Sequence, residues 1–377
     1  MQASWFQRYL LPGFAFKAVV IGGGYATGRE LAEFFLPGGP WGGLLGMILA
    51  MLIWSLVCAV TFTFARAVDG YDYRTFFKAL LGPFWIVFEL AYFLFVVLIL
   101  AVFSAAAGAI GASTLGLPPI AGTLFLAVAI ALVTTFGNAS VEGLFKYMSI
   151  FLYTVYALFI LLAMFRFGDR ITGAFAAAPP AGEWALGGLT YASYNVVGAV
   201  VILPMIRHLT SRRDAIVAGL VAGPLAMIPA LLFFICMVAF YPGIAQETLP
   251  SDFILRELRL PAFHYLFQLM IFAALLESGV GAVHAINERV ATVWQHQRGL
   301  ELSYRARAGI AVLLLVGCIF IADRIGLVDL IGSGYRYLAY VILAVYIVPL
   351  LTIGVRMLVL GSRRRAAEAL DSSPASL

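Results

Sequence analysis

A carboxylate lies within the otherwise apolar stretch AALLESGVGAV, Ala273 to Val283: Glu277, with Ser278 beside it and Gly279 and Gly281 leaving room for a close backbone. An ionised side chain is expensive among such neighbours and asks for a partner or a task. It offers a charged oxygen ligand to a cation, or it is a carrier for a proton, because burial favours the neutral carboxyl. A structural Glu hydrogen-bonded to neighbouring helices would use the same residues. Backbone is the second source of chemistry, in KAVVIGGGYATGREL, Lys17 to Leu31, where Gly22, Gly23 and Gly24 follow one another in an otherwise helix-forming segment. Each interior Gly costs a helix about 1 kcal/mol relative to Ala, so an unwound turn is cheap there. Its freed N–H and C=O groups are tolerable at membrane depth only if they face protein, a cavity or a ligand. A close crossing of two continuous helices through small residues is the bland alternative. The third segment, GGLTYASYNVVGAVVILPM from Gly187 to Met205, carries Ser193, Tyr194, Asn195 and Gly198 at its middle. Asn competes for backbone hydrogen bonds and a Gly follows it, so a second break is expected between Ser193 and Gly198.

The elements that position these groups follow from composition. Of 377 residues 63% are hydrophobic and 11% charged, against roughly 25% charged in a soluble domain. Apolar runs near the roughly 20 residues that cross a bilayer recur along the chain. Ten spans are expected, at 12–36, 42–66, 83–113, 119–136, 142–166, 185–207, 214–241, 261–290, 308–323 and 329–360, the fourth and ninth being shortest. The segment 251–260, SDFILRELRL, reads as a short amphipathic helix between spans, able to cap a cavity or to lie as a solvated loop helix. With the N-terminus inside, 17 of the 24 Lys and Arg fall at inner ends, which places both termini in the cytoplasm. Residues 361–377, charged and then rich in Ser, Ala and Pro, form a tail.

The net charge of +5 is thereby a membrane-orientation signal, and no nucleic-acid partner is expected. Four scattered His and three Cys within apolar runs give no zinc spacing and no disulfide framework. His284 lies two turns from Glu277, about 10 Å by helical rise, too far for a direct acid–base pair. No enzyme activity and no cofactor are expected.

Breaks in the first and sixth of ten spans fall at corresponding positions of two five-helix halves, about 12–166 and 185–360, and an odd number of spans per half makes the halves inverted. Ten spans broken in this way resemble the LeuT-like transporters of the amino acid-polyamine-organocation superfamily. GGGYATGRE followed by Glu33, Phe34 and Phe35 resembles the YkvI family of bacterial membrane proteins. FGNASVEGLFK, Phe136 to Lys146, is similar to the start of the fifth helix in amino acid permeases, although the spacing of Asn138 and Gly143 departs from that pattern. The resemblance implies an all-α transporter domain over residues 1–360, in a bacterial inner membrane. It implies that the eighth span faces the first-span break, with Ser278 and carbonyls of Val20, Ile21 or Gly23 at a sodium site. Glu277 departs from the Thr or Ser usual there. It also implies an outer gate, for which Arg29, Glu30 and Glu33 are the first-span candidates, and Arg336 in the tenth span is the candidate partner of Glu33 or Asp329. A charged helix end at the interface would look the same.

Together these readings lead us to expect a secondary transporter of a small polar metabolite, an amino acid or related carboxylate first, coupled to sodium or a proton. Gly22, Gly23, Gly24, Tyr25, Ser193, Tyr194, Asn195 and Gly198 are the expected substrate-binding residues, and Glu277 with Ser278 the expected coupling site. A cation-only transporter and a ligand sensor on the same fold are the alternatives. Oligomeric state and substrate identity are not legible.

Overall fold

The computed structural model of the chain describes residues 4–136 and 139–361, with the side chains of 23, 24, 136, 139–149 and 296 excepted. Asn138, the Glu142 and Lys146 side chains and the tail beyond Gly361 therefore lie outside the described residues. All regular structure among the described residues is helical. A short helix Trp5–Tyr9, capped reciprocally by Ser4 and Gln7, precedes the first span.

The first span is Leu11–Val20, Gly23–Thr27 and Arg29–Phe34, and the second is Gly39–Ala67. Asp72 then starts an amphipathic connecting helix, Tyr73–Leu81, by accepting a hydrogen bond from the Thr75 N–H. The remaining spans are Trp85–Leu115, Pro119–Phe136, Ala139–Ala176, the pair Ala185–Asn195 and Val197–Val201, Arg212–Val238, Pro261–Arg298, Tyr304–Ile325 and a tenth running from Leu327. Among the described residues seven helices are long and apolar enough to cross a membrane, and Leu11–Val20, Pro119–Thr135 and Ala185–Val201 are shorter apolar ones. All ten expected spans are present.

Three expectations need correction. The fifth span does not stop at 166: Ala163, Phe167 and Ile171 are buried four residues apart while Arg166 and Arg170 face outward, so the helix continues to Ala176 with a kink at Phe167. Charges read as a loop are the solvated face of an amphipathic extension. The ninth span is not short, because Ser303 caps it through the Ala306 N–H and it runs 22 residues. The tenth is not a plain helix: Leu330–Gly334, Leu343–Ile347 and Leu350–Gly354 are π-helical turns, the first at the glycine-rich sequence Gly332 to Gly334. The amphipathic segment is a helix, Pro250–Leu258.

The second and seventh spans form the tightest pair, and small residues make it possible. A Cβ on Gly219 would stand 2.3 Å from the Ala59 Cα, and one on Gly223 would stand 2.2 Å from the Ser55 hydroxyl. Ser55 also donates to the Leu220 carbonyl at 2.9 Å. In lipid no hydrophobic force drives helices together, so close approach and interhelical hydrogen bonds hold such a pair. Trp54 ties the second span to the sixth by donating to the Ala192 carbonyl at 3.1 Å.

Gly219→Val is expected to destabilise the purified protein by about 1–3 kcal/mol, since a rigid backbone must move to admit it. Gly317→Ala, with nothing within 4 Å of the new Cβ, should melt at or above the wild-type temperature. Thermal unfolding of both variants in detergent checks the pair.

Candidate functional site

The first span stops at Val20 because Ile21 and Gly22 leave the helical region, at φ −76°, ψ 73° and φ −95°, ψ −172°. Gly22 N–H turns back to the Val20 carbonyl at 2.8 Å. Helix resumes at Gly23, so the break lies at the start of the glycine run rather than across it. A second interruption follows at Gly28, in the left-handed region at φ +79°, where a Cβ would also stand 2.9 Å from the Phe233 ring. The signal for it was present: a Gly after a short helical run is the usual C-terminal stop, and a charged Arg-Glu pair starts the next turn.

In the sixth span the interruption is one residue, Val196, whose φ −64° and ψ −13° stay right-handed, so the chain tightens there without unwinding. Ser193 donates to the Leu189 carbonyl at 2.7 Å and Asn195 to the Tyr191 carbonyl at 3.1 Å, both in their own helix. Gly198 serves as a packing surface, since a Cβ there would touch Phe16 at 3.2 Å and Val19 at 3.3 Å. The polar patch expected to face a ligand is thus turned onto its own backbone, and Tyr194 reaches the first span instead.

A cavity of about 290 Å³ opens beside the first break. Ile21, Phe103, Tyr153, Glu277 and Ser278 line it, and Glu277 makes no hydrogen bond or ion pair among the described residues. Helix Leu11–Val20 ends at this cavity, with Ala18, Val19 and Ile21 on its wall, so the partially negative end of the helix shares the space with the carboxylate and the Ser278 hydroxyl. Val20 itself is buried, and its carbonyl keeps one lone pair beyond the Gly22 bond. Tyr25, expected at the ligand, is buried against Tyr156 at a ring distance of 6.2 Å and does not line the cavity. No cluster of three or more His, Cys, Asp or Glu is formed among the described residues.

Beyond the break the charged residues divide. Arg29, 5% exposed, donates to the carbonyls of Ala245 at 2.8 Å and Glu247 at 2.9 Å and to Glu33 at 2.8 Å. Arg336 approaches the other oxygen of Glu33 at 3.7 Å. Glu33 therefore links the first span to the tenth, and Arg29 links it to the loop ahead of Pro250–Leu258. Of the two partners open to Arg336, Glu33 is the one it meets. Glu30 stays outside this network: it is 5% exposed and accepts a 2.6 Å hydrogen bond from the Tyr194 hydroxyl, itself over the Tyr335 ring at 4.5 Å. This end is bridged, whereas on its other side the cavity adjoins a second one whose wall carries the basic residues Arg74 and Arg289. At that basic end Glu89 takes the Tyr73 hydroxyl at 2.9 Å and Arg74 at 3.7 Å, and Tyr92 turns to the cavity wall.

Tyr194→Phe removes the donor from a buried carboxylate and is expected to cost about 1–3 kcal/mol of stability. Glu30→Gln, which retains an acceptor for the Tyr194 hydroxyl, should cost less. If the two losses in thermal unfolding are equal and additive in the double variant, the pair is not coupled.

No family model matches the sequence. The chain is similar to the membrane protein YkvI of Bacillus subtilis (strain 168), 23% identical over 333 residues that cover 88% of this chain and 92% of that one. Among solved structures it resembles a Na+-coupled sialic acid symporter in a substrate-bound outward-open state, with a TM-score of 0.61 and 13% identity over 91% of this chain and 79% of the other. MhsT in complex with L-phenylalanine aligns with a TM-score of 0.56 and 16% identity, covering 90% and 88%. A manganese transporter of Eremococcus coleocola aligns with a TM-score of 0.55 and 17% identity, covering 93% and 81%. At these identities the likeness is one of fold, and it is the LeuT-like fold.

Proposed function

We propose that this YkvI-like membrane protein of LeuT-like fold is a secondary transporter that couples a cation to a small carboxylate-bearing metabolite, an amino acid first. The observation that carries the reading is the meeting of the first-span break with Glu277 and Ser278 in one cavity. Coordination needs oxygens from separate elements around a space, and here the carbonyl end of one helix and two side chains of another supply them. Sodium would be held by Glu277, Ser278 and carbonyls at Val20, Ile21 or Gly23, and a proton would reside on Glu277.

Alternating access supplies the rest. The bridge Arg29–Glu33–Arg336 closes one end while the cavity leads to the basic end, so the conformation is inward-facing if the basic end is cytoplasmic, as the distribution of Lys and Arg favours. Opening the far end requires Glu33 to release Arg336, and a pair at that distance, half in solvent, is weak enough to break in each cycle. Inverted halves, 12–166 and 185–360, would make the two conformations mirror one another. A bacterial inner membrane is the expected location.

A cation-only transporter is the second reading. The observation that favours it is that, among the described residues, Glu277 is the one charged residue on the cavity wall, which gives the space a negative character and no cationic side chain to meet an anion.

Thermal stabilisation of the purified protein by amino acids and related carboxylates, with sodium and pH varied, tests both. A ligand at one hundred times its Kd stabilises by about 2.7 kcal/mol. The proposal expects stabilisation that strengthens with sodium or with low pH and vanishes in Glu277→Gln. Ion and pH dependence unchanged in that variant would sink the coupling role of Glu277, and stabilisation by a metal ion with no organic ligand would favour the second reading. For the bridge, Glu33→Gln should increase labelling of a cysteine placed at Gly22 by a membrane-impermeant maleimide added from the outer side. Unchanged labelling would exclude Glu33 from the gate.

A further inference from the structure

At the basic end the cavity adjoins a second one of about 390 Å³, and Tyr92, Val201 and Ala285 line both. Arg289 stands at this mouth, one helical turn past Ala285, at the end of the i, i+4 row that runs from Glu277 through Gly281 and Ala285. Its guanidinium carbon lies 3.6 Å from the centre of the Tyr92 ring and 3.9 Å from that of Tyr73. The two rings are inclined by only 9° with centroids 6.4 Å apart. Tyr73 is itself held, its hydroxyl donating to Glu89 and accepting from the Arg74 Nε, both at 2.9 Å. Rings over both faces fix the plane of the guanidinium and leave its N–H edge as the available surface.

That edge has no protein acceptor. Arg289 makes no hydrogen bond or ion pair among the described residues, and the carboxylates around the mouth are each engaged elsewhere. Glu89 is held by Tyr73 and Arg74, Glu288 by Arg307, and Asp72 by the Thr75 N–H at 3.0 Å. A planar fork of donors, pre-oriented and facing a cavity, is the geometry that receives a carboxylate through two parallel hydrogen bonds.

We infer that Arg289, clamped between Tyr73 and Tyr92, is an anion-binding fork at the mouth of the cavity, taking the carboxylate of a substrate with an apolar body. The inference rests on the transporter reading and deepens it, since among the described residues the inner cavity holds a carboxylate but no counter-charge for an anion. Twelve residues separate Glu277 from Arg289, about 18 Å along the helix, so the fork and the coupling site hold a small ligand in succession and not together. Between them the wall is Tyr92, Phe95, Val96, Val201 and Ala285, which favours an apolar body behind the carboxylate.

The test uses the full-length protein in detergent at fixed sodium, with phenylacetate as the probe and phenylacetamide as its neutral counterpart. Phenylacetate should raise the melting temperature and phenylacetamide should not. Arg289→Gln should abolish the shift, Arg289→Lys should weaken apparent affinity about tenfold because an ammonium has no planar fork, and the exposed Arg298→Gln should retain it. Should Arg289→Gln fail to elute as a monodisperse peak, Arg289→Lys decides by the same titration. Equal stabilisation by the amide, no shift with phenylacetate, or wild-type affinity in Arg289→Lys overturns the inference. The sodium-dependent shift and its loss in Glu277→Gln are read separately, so loss of the fork alone leaves the coupled-transporter reading standing.

Discussion

Every backbone N–H and C=O inside a bilayer must find a partner within the protein, and the first-span break is where this constraint is relaxed under control. At Ile21 and Gly22 the helix stops beside a cavity, so the carbonyls released at its end face a space instead of hydrocarbon. The surrounding arrangement follows from that. Glu277 lines the same space as Ala18, Val19 and Ile21 at the carbonyl end of that helix, so the cavity is negative in character on both sides. The same logic leaves the sixth span with less freedom: Ser193 and Asn195 return to their own carbonyls, and a single residue, Val196, carries the bend.

Charge is managed in two ways at the two ends. At the bridged end, Arg29 is buried with three acceptors, two of them backbone carbonyls, and Glu33 spans to Arg336. Removing any one partner would strand a charge, which is why such groups tie the ends of several helices rather than one surface. Glu30, one residue from Arg29, is served by a phenol, not by that guanidinium. Adjacent helical residues point about 100° apart, so one of the pair faces Glu33 and the loop carbonyls and the other the bundle interior. At the basic end the charges form local pairs around a passage and leave Arg289 between aromatic rings.

Small residues set the frame within which this works. The second and seventh spans meet at Gly219 and Gly223, so their relative position is defined by backbone contact. The far half of the first span meets the sixth in the same way, at Phe34 and Gly187, and adds polar bonds to the loop ahead of Pro250–Leu258.

The number and order of the ten spans, the break at the glycine run and the short amphipathic helix were legible in the sequence, because they depend on local hydropathy and on glycine propensity. The pairing of Glu33 with Arg336 was legible as one of two options, and only the approach of the first and tenth spans selected it. Ser193, Asn195 and Gly198 were read correctly as unusual for a membrane helix, but whether a polar group serves a ligand or its own carbonyl depends on a rotamer and on neighbours that no single segment contains. The hydrogen bond from Tyr194 to Glu30 and the clamp of Tyr73 and Tyr92 around Arg289 join residues separated by 164 and up to 216 positions respectively. Composition and spacing act along the chain, whereas these contacts exist only where separate helices cross, so tertiary structure alone decided them.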